Sequence, residues 1–549
     1  MKKTFMYLTA LLSFVTLLSC NKTQTKPLQK SLLASSSLAA ATISDYAIYT
    51  FQCLSGGKYI EVSGNPLYNE KFSDQRAITQ YASSVSNGNI DGWQRWHIIY
   101  KTTVNNVKYY YIRNVFSGKL LDVPGGSHTS GTQLQQYAEF IFPSDEQLWS
   151  ITATDSAYRI INKGSGMAVT NAGSSTTNGS AITQETAGTG NNQKWRLVER
   201  VADTYRDDNV VRFFNRNGTT QGSVAFDQGT SIPMSNGNVL WITQDAWDGA
   251  SLQANGKFSC NSFFSYGNSI LIQPTANNWN SDAPNMTRDS SAQNKPKQIC
   301  DIQSGNSFAW PGHGVEIGSH VYIQCGEGSG LNATNQSLYD ITLKSGNKWQ
   351  VKRTLPAGMS GQAAINYAAG MVKAADGYVY VFGTQGTGFG YTLNVHVARF
   401  PVTNPQSWTF WNGSSWVSTP VTGDAARIGD GLGTSYIAYV NGKYVMVIMD
   451  QGFNCDNTRN IYTATASSPT GPFTARTQVY SISEYLYGNY ARYYTPAIHP
   501  ESINGRNELL ITYCLNFSAC GVEDCVDGYL DPYFYRVKAI RVPYSKIGL

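Results

Sequence analysis

Short apolar runs broken by glycine, asparagine and proline turns extend along most of the chain. Val239-Leu240-Trp241-Ile242, Tyr378-Val379-Tyr380-Val381-Phe382 and Val445-Met446-Val447-Ile448-Met449 are rich in β-branched and aromatic residues and bounded by turn formers, the pattern of buried strands. No stretch of about ten residues carries the 3.6-residue apolar period of a helix. The pattern therefore predicts an all-β chain. From residue 205 onward, five segments share one plan: an apolar strand, a Gly/Asn turn, and a second strand with a polar end. They start at Phe226, Trp310, Asn366, Thr434 and Tyr494. Five such units, each followed by a further strand candidate, predict a five-bladed β-propeller of four-stranded blades over 205–549. The stretch Val210-Val211-Arg212-Phe213-Phe214 is expected to close the ring by joining the last blade.

Residues 45–199 carry a different repeat. Gln-x-Trp occurs at Gln94-Arg95-Trp96, Gln147-Leu148-Trp149 and Gln193-Lys194-Trp195, at spacings of 53 and 46 residues. Each copy follows a Gly-initiated strand (Gly57 to Val62, Gly118 to Val123, Gly166 to Thr170) and a Gln-containing strand (Ile78 to Tyr81, Leu134 to Tyr137, Ile182 to Glu185). Three in-register copies resemble the ricin B-type β-trefoil, a carbohydrate-binding fold in which three lobes share one core. The resemblance implies that each Trp packs in that core and that each Gln is structural. It also implies that an acid ending the first strand bonds sugar hydroxyls while an aromatic on the next strand stacks on the ring. The second lobe has both, as Asp122 and Tyr137. The first has Glu61 and Tyr81, and the third has Thr170 and Glu185, without an aromatic. One or two lobes are expected to bind sugar.

The N-terminus reads as an address. Lys2 and Lys3 precede an apolar run from Phe5 to Leu18 that ends in Leu17-Leu18-Ser19-Cys20. The run is too short to span a membrane. Its ending is similar to a bacterial lipobox, which implies lipidation at Cys20, a lipid-anchored mature protein at the cell envelope, and residues 21–44 as a tether. Export permits disulfides, and Cys520 and Cys525 are near enough in sequence to staple one loop. No Cys-x-x-Cys or clustered-His pattern suggests zinc, and no cofactor is expected. The net charge of +5 is spread along the chain, which gives no basic stripe for nucleic acid. Charged residues make up 14% and aromatics 13%, a balance suited to turn-rich β proteins that meet sugars. The expected partners are a polysaccharide and the membrane, with the chain a monomer.

Asp227 and Asp245 are the leading chemical candidates. Their midpoint is the Ser235-Asn236-Gly237 turn, which places them opposite each other across a hairpin, where Cβ atoms lie about 5 Å apart. Two carboxylates that close cannot both ionise freely, and a split acid/base pair is what glycoside hydrolysis uses. Strand-end aspartates that satisfy turn amides, or that hold a cation, are the plainer alternatives. The order of motifs in 205–545 resembles a bacterial five-bladed propeller family that includes endo-D-arabinanases. The resembling elements are Asp227-x-Gly229-x-Ser231, Trp310-Pro311-Gly312, Ser468-Pro469-Thr470-Gly471-Pro472-Phe473 and His499-Pro500-Glu501, among others. The resemblance implies that Asp227 and Asp245 are catalytic in a glycoside hydrolase acting on polysaccharide. The same mouth is expected to hold His313 as a wall residue and Thr384, Asp450 and Asn516 as hydroxyl-binding groups. Tyr367, Trp310 and Tyr494 are candidates for stacking on sugars. His499 and Glu501 are expected to satisfy a turn. The competing class is a surface glycan-binding lipoprotein without catalysis.

The anchor has a direct test. Cys20→Ser should block processing or release the protein from membranes in cell fractionation. Membrane retention of a fully processed variant would count against the lipobox.

Overall fold

The computed structural model describes residues 43, 47–65, 70–86, 89–90, 92–140, 144–155, 157–200, 204–207, 210, 213–214, 222–279, 287–288, 298–344, 348–387, 392–449, 459–482, 484–486, 489–519 and 522–549. Cys20, the lipobox and the tether lie outside the described residues.

The trefoil is a twelve-stranded closed sheet from Ile48–Cys53 to Trp195–Arg200. Trp96, Trp149 and Trp195 are all fully buried in one shared core. A buried indole needs an acceptor, and each of the three finds the same one. Their Nε1–H groups donate to the carbonyls of Ile60, Leu121 and Val169 at 3.2, 3.0 and 3.0 Å. The glutamines of the same motif each bridge a loop: Gln94, Gln147 and Gln193 donate to the carbonyls of Ala82, Ala138 and Thr186. A second set joins the lobes in a cycle, with Gln80 donating to Ser175, Gln136 to Lys71 and Gln184 to Ser127. The threefold sequence repeat is thus a threefold set of buried side-chain donors that each find a carbonyl.

Beyond it, among the described residues, lie five larger sheets, antiparallel except where the short Thr287–Arg288 strand runs parallel to Lys348–Thr354. Their innermost strands, Ser223–Pro233, Phe308–Ile317, Met371–Lys373, Thr434–Val440 and Asn489–His499, follow one another around a ring as blades I to V. Blade I shows three strands among the described residues. Blade V takes its outermost strand from the start of the domain: Tyr205–Arg206 pairs with Arg541 and Ile540. The ring is therefore closed a few residues upstream of the expected stretch. Val210, Phe213 and Phe214 are instead fully buried, with Phe214 edge-on to Trp241 and Phe226. Residues that apolar contribute more inside a core than at a sheet edge.

Two buried ion pairs flank the closing strand. Arg206 bonds Glu484, and Arg541 Nε bonds Asp207 Oδ2 at 2.8 Å. A disulfide crosses the same seam, joining Cys260 of blade I to Cys525 of blade V, beside a two-stranded ribbon of Phe258–Ser259 and Tyr529–Leu530. Cys525 therefore does not pair with its sequence neighbour Cys520, which lies outside the described residues. Strand geometry brings the distant cysteine closer than sequence proximity suggests.

Neighbouring blades approach tightly at their inner strands. Gly370 has φ of 135°, and a Cβ there would sit 2.2 Å from the Ile437 carbonyl oxygen, while Ile437 N donates to Ala369 O at 2.7 Å across the same junction. Gly370→Ala should therefore destabilise the propeller by about 2 kcal/mol or more. Denaturant unfolding followed by tryptophan fluorescence should show the propeller transition moved and the trefoil transition unchanged. An unmoved propeller midpoint would disprove the junction argument.

Candidate functional site

Blade I carries the leading pair on adjacent strands, but the register differs from that expected. From the turn up to Thr230, paired with Ile242, the hairpin is regular. Gly229 then bulges out, and Asp227 falls opposite Gln244, not Asp245. The partner strand compensates with its own extra residue before Ala225 meets Trp247. A bulge re-aims side chains, and here two bulges turn both carboxylates into one cavity. Gly229 is obligatory: its φ is 93°, and a Cβ would lie 2.5 Å from Val537 Cγ1 of blade V. Ser231 Oγ lies 2.5 Å from His499 Nδ1 and donates to Glu501 Oε1, also at 2.5 Å. The Asp-x-Gly-x-Ser and His-Pro-Glu motifs are thus two sides of one contact. The His499 and Glu501 side chains hold blade I to blade V, while their carbonyls accept the turn bonds from Ser502 N and Ile503 N.

The cavity has a volume of about 550 Å3 and is lined by Asp227, Asp245, His313, Thr384 and Asn516, with Trp310, Tyr494 and others. Four blades contribute to this group, and Thr434 and Ser435 bring in the fifth. The structure thus unites three of the five expected substrate-binding residues with the carboxylate pair. Tyr367 is not among them. It is 1% exposed and packs in the core against Trp408 and Phe410, because the residue after Asn366 faces away from the channel. Asp450 lies outside the described residues.

Asp227 accepts hydrogen bonds from two tyrosines of blade V, Tyr494 and Tyr535. Asn516 Nδ2 donates to the Tyr494 hydroxyl at 3.0 Å and so fixes that ring. Tyrosine donors favour the ionised carboxylate, but burial and the neighbouring Asp245 charge outweigh them. The Asp227 pKa is raised well above the ordinary 3.8. Burial also raises Asp245, to about 6, against a hydrogen bond from Trp310 that pulls the other way. Both carboxyls are thus held toward the protonated form, Asp227 with the additional push of the neighbouring Asp245 charge. Trp310 stacks on Phe308 with centroids 3.8 Å apart, presenting an aromatic wall beside Asp245. Burial drives the His313 pKa down to about 3, even though its ring N–H donates to the Ala368 carbonyl. The ring is neutral, lies edge-on to Tyr436 at 4.1 Å, and acts as wall rather than as acid.

Sequence reasoning did not single out Tyr535, Gln228 or Thr495. Gln228 and Thr495 line the cavity with positive φ, 72° and 48°. Gln228 Nε2 donates to Gly312 O at 2.5 Å, and Gln244 Nε2 donates to Pro311 O at 2.6 Å, anchoring blade I to blade II. The Asp-x-Gly spacing was the available signal for Gln228. Tyr535 sits in a turn ahead of the last strand, with no sequence pattern tying it to Asp227.

On the trefoil, a cavity of about 380 Å3 opens at the first lobe, lined by Glu61, Lys71, Thr79, Tyr81 and Trp93. Gln94 donates to Glu61 Oε2 at 2.9 Å, so the Gln-x-Trp glutamine orients the acid as well as bridging its loop. Tyr81 is 43% exposed and free to stack. In the second lobe, burial raises the Asp122 pKa to about 6, against hydrogen bonds from Gln135 and Gln147. Tyr137 is half-buried and leans on Phe140. In the third lobe Thr170 takes the acid's place and accepts from Gln193 at 3.0 Å.

A model described as ricin-type beta-trefoil lectin domain-like matches residues 40–138 and 145–247. No curated protein matches the chain. The crystal structure of a candidate hydrolase from Bacteroides ovatus ATCC 8483 shares the fold, with a TM-score of 0.50 and 18% identity over 62% of this chain and 92% of that one. The exo-beta-1,3-galactanase 1,3Gal43A from Clostridium thermocellum is 28% identical over 29% of this chain and 31% of its own, with a TM-score of 0.24. The designed threefold-symmetric ThreeFoil is 28% identical over 28% of this chain and 99% of its own, also at 0.24. The match that spans the propeller, residues 207–540, covers more than half of the chain, which therefore belongs to the family described as Domain of unknown function (DUF5005).

Proposed function

We propose that this chain is an extracellular glycoside hydrolase that cleaves a polysaccharide within the propeller cavity. The trefoil holds it on glycan and a lipid on Cys20 anchors it at the cell envelope. The observation that carries this reading is the carboxyl pair: two aspartates in one cavity, both pushed upward by burial, Asp245 to about 6. Asp227 would give its proton to the leaving glycosidic oxygen, and Asp245 would activate water or attack the anomeric carbon. Trp310, Thr384 and Asn516 supply the stacking and hydroxyl contacts that a sugar needs. The resemblance to endo-D-arabinanases makes a furanose polymer of the D-arabinan type the first substrate to try.

Asp227→Asn and Asp245→Asn should each lower hydrolysis by on the order of 100-fold or more, because an amide is neither acid nor base at this pH. The assay is a polysaccharide panel scored for new reducing ends. The rate should fall below about pH 6 as Asp245 gains its proton and fall again at higher pH as Asp227 loses its own. Wild-type rates in either variant would remove that residue from catalysis. Full glycan binding with no cleavage by the wild type would favour the non-catalytic binder.

The same shifts predict stability. Both carboxyls bind protons more tightly folded than unfolded. Their contribution is therefore complete below the ordinary 3.8 and lost as pH rises through the folded values. Asp227→Asn should accordingly melt higher than wild type at pH 8, with the gap closing as pH falls toward 4. An equal or lower melting temperature at pH 8 would contradict the buried-acid assignment.

Glycan retention should depend on the first lobe. Tyr81→Ala should weaken binding by on the order of ten-fold, from the loss of one stacking contact, while Glu185→Ala should leave it unchanged. Affinity electrophoresis of the full chain is the measurement. Loss on Tyr137→Ala but not on Tyr81→Ala would move the live site to the second lobe.

A further inference from the structure

The Asp227 cavity is bounded on one side by Gly433, Thr434 and Ser435. Two residues earlier, Gly431 borders a different cavity, again of about 550 Å3, cut between blades III and IV. The two hollows meet at the Leu432–Gly433 stretch: Gly431 lines one, Gly433 lines the other, and Leu432 alone stands between them in the chain.

The floor of this second hollow is apolar. Phe473 lies there, packed on the core shared by blades III and IV. Its position accounts for the Ser-Pro-Thr-Gly-Pro-Phe motif, which the catalytic cavity does not use. Gly471 has φ of 73°, and a Cβ there would sit 2.5 Å from the Ile428 carbonyl oxygen. Phe473 N donates to that same oxygen at 3.3 Å. The motif thus locks the Phe473 loop against the start of the Gly429–Leu432 strand. This strand is held close as well, since a Cβ on Gly431 would lie 2.7 Å from Ser435 Oγ.

The rim is polar and carries both signs of charge. Asp424 accepts from the buried Asn394 Nδ2 at 3.0 Å, which fixes that carboxylate over the hollow. Arg427 pairs with Asp430 at 2.7 Å, and Arg476 lies over the Tyr462 ring at 5.1 Å. An aromatic floor beneath a rim of carboxylates and guanidinium groups suits a sugar: C–H faces rest on the ring, while hydroxyls both donate and accept at the edge.

We propose that this hollow is a distal glycan subsite. It holds the same polysaccharide whose bond is cut at Asp227, with the chain passing over the Leu432–Gly433 stretch. This inference rests on the hydrolase reading. Binding energy from sugars remote from the cleaved bond would then raise kcat/KM for long chains above that for short ones.

The test uses oligosaccharides of about two to about eight sugars, prepared from whichever polysaccharide the full-length wild-type protein cuts. The variant is Asp430→Ala/Arg476→Ala, whose side chains are both exposed, so an unchanged melting curve should accompany it. In the wild type, kcat/KM should climb with chain length. In the variant, the longest substrates should lose on the order of ten-fold, carried by KM rather than kcat, and the climb should flatten. An identical length dependence in the two proteins would overturn the subsite alone, as would a loss equal at every length. If the wild type cuts no polysaccharide, the subsite falls together with the hydrolase reading.

Discussion

A propeller is a sheet system bent into a ring, and this one works only because the ring is closed where it begins and ends. Asp227 belongs to the first blade. The tyrosines that bond it, Tyr494 and Tyr535, and the asparagine that fixes Tyr494 come from the last. The candidate chemistry therefore straddles the seam. Three devices hold that seam together: the Tyr205–Arg206 strand paired to Ile540 and Arg541, the ion pairs of Arg206 and Arg541, and the Cys260–Cys525 disulfide. Ser231, His499 and Glu501 add a polar contact further down the same junction. The strand also joins the two domains, since the Tyr205 ring lies 4.6 Å from His97 of the trefoil and clusters with Ile48 and Val115.

A closed ring can support backbone strain that an isolated hairpin would relax. Gln228, Asp245 and Thr495 all line the cavity with φ between 40° and 72°. For residues with a Cβ this conformation costs about 1–2 kcal/mol each. Gln228 recovers some of that through its bond to Gly312, and Gln244 braces Asp245 from the neighbouring position through Pro311. At Gln228 and Asp245 the strain accompanies the two bulges that point both carboxylates inward, while Thr495 lies at a separate irregularity of blade V between Tyr494 and Ala497. Regular pairing would have kept Asp227 and Asp245 face to face across the strands, without the offset that sets one deep beside blade V and the other beside Trp310.

This also explains what could be read from the sequence and what could not. The trefoil was legible because its period is carried by side chains with no alternative: each buried indole and glutamine has one geometric solution, repeated three times. The blades were legible through their hairpins, whose turns and apolar strands are local. Register was not, because midpoint symmetry holds only for hairpins without bulges, and the bulged Gly229 packs against Val537, more than 300 residues away. The closing strand was misplaced because an apolar stretch, Val210 to Phe214, looks more like a strand than Tyr205–Arg206 does. The cysteine pairing and the place of Tyr535 likewise depend on contacts across the seam, which no local pattern encodes. Tyr367 looked like a wall aromatic only because nothing in the sequence says which face of a short inner strand meets the core.

The buried carboxylates separate into two kinds, and the difference bears on what each is for. Burial pushes Glu484 upward, but Arg206, Lys538 and Arg459 pull it below its ordinary value. Burial likewise acts on Glu327, where hydrogen bonds from Arg353 win and lower it. In both cases the cost of desolvation is met by a cation, the usual arrangement for a charge kept for structure. Asp227 and Asp245 share one cavity with two tyrosines and an indole instead, and both shift upward. A fold selected only for stability would gain by placing a guanidinium there or by removing one acid. Keeping two carboxyls without a cation partner among the described residues, inside a cavity to which all five blades contribute, makes sense if their protons are used.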